Sequence, residues 1–301
     1  IYNWLNSQKG QCGYEDDPFG FVQGLTTGAE RYMFYLTGGD GAGDNHLKNI
    51  VRLGGSASKL HLLLLLAAVN MDEQALTHLK ALLESMVYYS TVNQIKTNEL
   101  ERLYAQWCKQ IREIHTDEEL TSFINNKIKP TISQWKVNNR SNFMRIGFDS
   151  MQQYRVKFIL ARITKYVDVR RKNGGDASNV AEFYEGGIEI EHIMPQKYSA
   201  AYGISEDDYN AAKQRLGNLT LLEKTINASI GDDAFASKSE AYKQSAYYLT
   251  RSIAQLDDVG QQTAINRMNQ KLRSWSSWGP SMIEDRQAIL YDLSEEIWSI
   301  D

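Results

Sequence analysis

Apolar periodicity changes once along this chain, and the change limits the folds open to it. Up to about Gly175 the apolar residues recur at helical spacing. Leu76, Leu79, Leu83 and Met86 share a face behind Asp72, which can cap their helix. Leu100, Leu103, Trp107, Ile111 and Ile114 share another. Leu120, Phe123 and Ile124 follow Asp117 as a third run, and Pro130 is expected to end it. Met151, Tyr154, Phe158 and Ala161 predict a long helix over roughly 148–171, stopped by Gly174 and Gly175. After Gly175 the period becomes two. Ile188 and Ile190 alternate with Glu189 and Glu191, and Pro195 closes the run. "LGNLTLLEK", Leu216 to Lys224, reads as a second strand. "DDAFASKSEAYKQSAYYLTRSIAQL" reads as the next helix, capped by Asp232 or Asp233. Ile283, Leu290, Leu293 and Ile297 predict a closing amphipathic helix.

The expected fold is therefore mainly α: a helical bundle with an embedded strand–loop–strand–helix (ββα) unit. A helical domain is expected over 1–175 and the unit with its C-terminal helices over 176–301. Residues 1–56 read as loop-rich. Within them "LTGGDGAGDNHLKN" is a Gly-rich turn and not a phosphate-binding loop, because no Gly-Lys-Ser/Thr follows it.

Composition excludes several classes. With 42% apolar residues in 301, the chain can bury a real core. A formal charge of −4, from 33 basic and 37 acidic residues, rules out a basic coat for nucleic acid. Cys12 and Cys108 make no disulfide framework and no Cys/His cluster suggests zinc, so a reducing cytoplasm is the expected location. The longest apolar run, Leu62–Val69, is too short to span a bilayer and reads as a buried helix, so no membrane is expected. The sequence starts at Ile1 in mid-pattern and is expected to continue a longer chain.

The polar residues of the small unit can do chemistry together. His192 is the last His of the chain, and a neutral imidazole is the side chain best suited to take a proton from water. Phosphodiester hydrolysis also needs a cation, and Mg²⁺ keeps several waters, so one carboxylate and one amide oxygen suffice from the protein. Glu191 and Asn227 fit that need. Asn218 has both a donor and an acceptor with which to hold the inter-strand loop and orient the imidazole. Lys238 can meet a phosphate. Each has a plainer role available: Asn227 a helix cap, Lys238 a solvated helix residue, Glu189 an exposed strand residue that can also assist a metal. His61, in the Leu-rich helix, reads as a hydrogen-bonded core or boundary residue. The basic cluster 162–172 can line a DNA channel or simply balance a helix dipole.

"EHIMPQ", "LGNLTLL", Asn227 and "FASK" together resemble the HNH, or His-Me finger, nucleases. More narrowly they are similar to the C-terminal nuclease domain of GmrSD-type modification-dependent (type IV) restriction endonucleases. The tail "IEDRQAILYDLSEEIW" resembles the helix closing that domain. The resemblance implies a DNA endonuclease acting in phage defence, with modified DNA as substrate and Mg²⁺ or Mn²⁺ as cofactor. It implies His192 as general base, Asn218 as the orienting catalytic residue, and Glu191 and Asn227 as metal ligands. It implies an N-terminal nucleotide-hydrolysing domain or partner, whose Asp-Gly-Gln-Gln-Arg type motif is not in this sequence. A single such site cuts one strand, so double-strand cleavage needs a homodimer or two successive nicks. Two other readings stand beside this one: a helical scaffold with a degenerate nuclease unit, and an RNA endonuclease.

Overall fold

The structure, a computed structural model, describes residues 2–8, 10, 12–39, 44–55 and 59–300. Its first stretch corrects the loop-rich expectation. Helices α1 (Tyr2–Gln8), α2 (Pro18–Leu36) and α3 (Asn45–Gly54) occupy it. Asp17 caps α2 by accepting from the Gly20 amide, with Pro18 in the first turn, where its missing N–H costs nothing. Asp44 caps α3. Gly20, Gly24 and Gly28 have low helix propensity. They lie inside α2, each at roughly 0.5–1 kcal/mol relative to Ala. Residues 40–43 of the Gly-rich stretch lie outside the described residues.

The helical periodicities fold largely as their spacing predicts: α4 (Leu60–Ala67), α5 (Glu73–Val92), α6 (Thr97–Ile111), α7 (Asp117–Phe123), α8 (Lys129–Lys136), α9 (Asn139–Phe143) and α10 (Gln153–Arg171). Asp72 caps α5 through the Ala75 amide at 2.8 Å. Thr116, and not Asp117, caps α7, in a reciprocal box with Glu119. Pro130 does not end that run. A π-helical turn, Ile124–Ile128, carries the chain into α8, and Pro130 sits in the first turn of α8. Helix α10 starts at Gln153, later than expected, because Gly147 bridges to Arg215 and the Phe148 amide donates to the Gln214 carbonyl at 2.7 Å.

Beyond α11 (Glu182–Glu185) come β1 (Ile188–His192), α12 (Glu206–Lys213), β2 (Leu219–Glu223), α13 (Lys224–Ile230), α14 (Phe235–Tyr242), α15 (Tyr248–Ala254), α16 (Ala264–Asn269) and α17 (Pro280–Ile297). β1 and β2 pair antiparallel, His192 opposite Leu219 and Ile188 opposite Glu223, and form the only sheet among the described residues. The second strand is shorter than expected, since Leu216–Asn218 form a 3₁₀ turn. The single helix expected after it is two, α14 and α15, and α13 precedes them.

β2 is covered on both sides, which is why it reads as an apolar run. Leu219 and Leu221 join the large core with Met86 and Tyr88 of α5, Phe158 and Ile163 of α10, and Leu290 of α17. Leu222 joins a smaller core with Ile193, Met194, Tyr209, Phe235, Tyr242, Trp278 and Ile283. Each such Leu contributes roughly 1.5–3 kcal/mol on burial. The large core thus draws on residues from both sides of position 175.

Three of the cations along α10, Arg162, Lys165 and Arg171, are spent on the fold, while Arg170 and Lys172 are exposed. Arg162 Nε meets the buried Glu84 at 2.7 Å and its guanidinium also donates to the Ala177 carbonyl. Arg171 pairs with Asp257 at 3.0 Å, and Lys165 with Glu182 at 3.3 Å. His61 is buried as expected but not hydrogen-bonded: neither ring nitrogen has a partner, and desolvation lowers its pKa to about 4. No described helix is long and apolar enough to cross a membrane.

Candidate active site

Strand alternation sorts the residues of β1. Glu189 and Glu191 point to one face, Ile188, Ile190 and His192 to the other. Ile188 and Ile190 pack on the large core, and the His192 ring follows them to meet Phe148 edge-on, with centroids 4.9 Å apart. His192 is 3% exposed, and its Nε2 has no hydrogen-bond partner. Desolvation first, then the positive charges of Lys238 and Lys213, lower its pKa to about 4. The ring is therefore neutral at pH 7, with a nitrogen able to accept a proton.

Glu191 is buried on the opposite face. Its Oε1 accepts from Lys238 Nζ at 2.6 Å and from the Tyr242 hydroxyl at 3.1 Å. Burial pushes its carboxyl above the usual range, and Lys238 pulls it back only in part. Lys238 comes from α14 and is 1% exposed. Its ammonium also donates to the His192 carbonyl at 2.7 Å. It stands beneath the corner as a buried cation and does not present its charge to solvent.

Asn218 closes the turn before β2 and lies wholly inside. Its Oδ1 accepts from the Met194 amide at 2.7 Å and from Trp278 Nε1 at 2.9 Å. Its Nδ2 donates to the carbonyls of Met194 at 3.1 Å and Lys213 at 2.9 Å. The side chain pins the backbone just past His192. It holds the loop, and none of these bonds goes to the imidazole itself. The turn in turn is clamped by α17. Arg286 donates to the carbonyls of Gly217 at 2.8 Å and Leu219 at 2.7 Å, and Gln287 Oε1 accepts from the Gly217 amide at 3.2 Å. A Cβ at Gly217 would lie 2.0 Å from the Ile283 carbonyl oxygen, so only glycine allows that approach.

Asn227 sits on α13. Its Nδ2 donates to Glu189 Oε2 at 2.9 Å, with Lys224 Nζ 4.0 Å from the same carboxylate. The structure thus brings Glu191, His192 and Lys238 into one bonded corner, ties Asn218 to the loop leaving it, and hands Asn227 to Glu189, two residues upstream on β1. Among the described residues, no three His, Cys, Asp or Glu side chains gather as a ready metal cage. The donors nevertheless suit a hard divalent cation in kind. Glu189 is half-exposed, and a half-turn of the Asn227 amide exchanges its N–H₂ for Oδ1.

Tyr242, Phe148 and Trp278 were not evident from sequence. Tyr242 lies four residues after Lys238 on one helix face, a spacing that would have found it. Trp278 gives no such signal, because its partner Asn218 lies 60 residues away.

A family model described as GmrSD restriction endonucleases, C-terminal domain, matches residues 135–293. The matched stretch encloses both strands, α13, α14 and most of α17. No curated protein matches the chain. With more than half its length matched, and the Glu191–His192 corner inside the match, the chain belongs to the GmrSD restriction endonucleases and carries their C-terminal domain.

Proposed function

We propose that this domain is an HNH-type, metal-dependent endonuclease that hydrolyses DNA phosphodiesters in defence against phage or other modified foreign DNA. The observation that carries the reading is His192 Nε2: an unpartnered nitrogen of a neutral ring at the end of β1, one residue after a carboxylate that a buried lysine holds on the other face of the strand. His192 takes a proton from the attacking water. The water oxygen bonds to phosphorus, the bond to the leaving oxygen breaks, and solvent protonates that oxygen. When bound, Mg²⁺ or Mn²⁺ stabilises charge growing on the phosphate and leaving oxygens. Asn227 with the Glu189–Glu191 face of β1 would hold it. Asn218 positions the loop that carries His192. Lys238 keeps Glu191 ionised and adds positive charge under the phosphate without touching it. DNA must open the corner, since His192 is 3% exposed and lies against Phe148.

By role, we assign residues 1–175 to a helical support and 176–301 to the nuclease unit, working in the cytoplasm. A nucleotide-hydrolysing domain or partner gates it, and a homodimer or successive nicks produce double-strand breaks. The test is supercoiled plasmid, modified and unmodified, incubated with the purified chain and Mn²⁺ or Mg²⁺. Open-circle product that EDTA abolishes supports the reading. Cleavage of single-stranded RNA alone would move the substrate to RNA. No cleavage of any nucleic acid favours the scaffold, which the burial of His192 also suits.

A further inference from the structure

The loop after β1, the turn before α14 and the residues just before α17 line an open pocket of about 650 Å³. Pro195, Tyr198, Tyr202, Phe235 and Trp278 form its walls. The Phe235 and Trp278 rings stack, centroids 5.4 Å apart and planes 23° apart. Tyr198 and Tyr202 each meet the buried Tyr209 edge-on, at 5.3 and 5.4 Å. The Tyr209 hydroxyl bonds the carbonyls of Pro195 at 2.7 Å and Lys197 at 2.9 Å, so this wall is braced and not a loose loop. Asp232 adds a carboxylate, whose Oδ1 already accepts from the Gln196 amide at 3.2 Å, and exposed Lys197 adds a cation.

The pocket lies close to the corner described above, although Glu191, His192 and Lys238 do not line it. Pro195 lies three residues past His192. Trp278 both lines the cavity and bonds Asn218, and the Asp232 charge acts on His192. Its size falls in the range of small-molecule sites, roughly 300–1,000 Å³. Aromatic walls of this kind hold bases by stacking, worth roughly 1–3 kcal/mol per base, once the base has left its own stack. A carboxylate among them accepts from an exocyclic amine, which cytosine and adenine carry and thymine lacks.

We propose that this cavity holds one unstacked nucleobase of the DNA strand at the nuclease corner, stacked on the aromatic walls, with Asp232 selecting a base that bears an exocyclic amino group. The inference rests on the nuclease reading for its location, but its test reads binding alone. Labelled single-stranded oligonucleotides of dC, dA and dT are titrated against the full chain without divalent metal, and anisotropy gives Kd. Binding of dC and dA about tenfold tighter than dT is expected, the discrimination of one good base contact. Asp232→Asn keeps the Oδ1 bond to Gln196, replaces the acceptor by a donor, and should erase or reverse that preference. Tyr202→Ala should weaken all three. His192→Ala should leave the preference intact, and failed plasmid cleavage by the wild-type chain beside preserved base selectivity would count against the nuclease reading alone. Equal binding of the three oligonucleotides, or unchanged selectivity in Asp232→Asn with unchanged affinity in Tyr202→Ala, overturns the proposal.

Discussion

The Lys238 ammonium lies 2.6 Å from Glu191 Oε1 with both side chains out of solvent, and its second bond reaches the His192 carbonyl 2.7 Å away. One lysine thus neutralises the carboxylate and fixes the backbone that carries the imidazole. Removing either partner of a buried pair leaves an uncompensated charge, at about 3–5 kcal/mol. Lys238→Met is expected to lower unfolding free energy by that amount in urea titration. The double variant Lys238→Met with Glu191→Leu should recover most of it. Loss of activity in the double variant despite recovered stability would separate the chemistry of the pair from its packing.

Acid should weaken the fold through two imidazoles. His192 and His61 both have a pKa of about 4, below the ordinary 6.5, chiefly because burial disfavours the charged ring. Between those values the unfolded chain binds the proton and the folded chain does not. The stability they confer is therefore complete above pH 6.5 and lost as pH falls towards 4, on the order of 3 kcal/mol for each. Chemical denaturation from pH 7 to 4.5 measures it, and His61→Leu should flatten the slope by about half.

The Gly217 approach to Ile283 makes a sharp packing prediction. Gly217→Ala puts a methyl against the α17 backbone, so the turn or the helix must shift. A loss of about 3 kcal/mol is expected, with Asn218 displaced and its bond to Trp278 broken. Thermal melting together with tryptophan emission, expected to shift to the red as Trp278 meets water, reads both effects.

Much of this site was legible in the residues, for identifiable reasons. Ile188 and Ile190 alternate with two glutamates because one face of β1 meets the large core and the other meets α14. That contrast marks the strand and places His192 at its end. Asp72 and the spacing from Leu76 to Met86 mark α5 for the same kind of reason. Helix α13 was hidden because Ile226 and Ile230 are the only large apolar residues in its seven, too few to show a period. Helix α2 was hidden by its three glycines. The Lys238–Glu191 pair spans 47 residues of sequence, and the Asn227–Glu189 bond spans 38; no local pattern encodes which carboxylate a distant side chain selects.

That selection bears on the metal. With Asn227 on Glu189 and Lys238 on Glu191, a divalent cation should depend on Glu189 as well as Glu191. Asn227→Ala and Glu189→Gln are each expected to raise the Mn²⁺ concentration for half-maximal cleavage by about tenfold or more. Glu189→Gln without effect would place the cation on Glu191 alone and require Lys238 to yield.

The proposed role of His192 as the base is tested most directly by the rate of supercoiled-to-open-circle conversion by wild type and His192→Ala under saturating Mn²⁺. The imidazole role predicts a fall of about 10²–10⁴-fold in the variant, with an unchanged melting profile at pH 8 once the void beside Phe148 is allowed for. Nicking by His192→Ala at the wild-type rate would contradict it, and would leave the neutral imidazole as a packing residue at the end of β1.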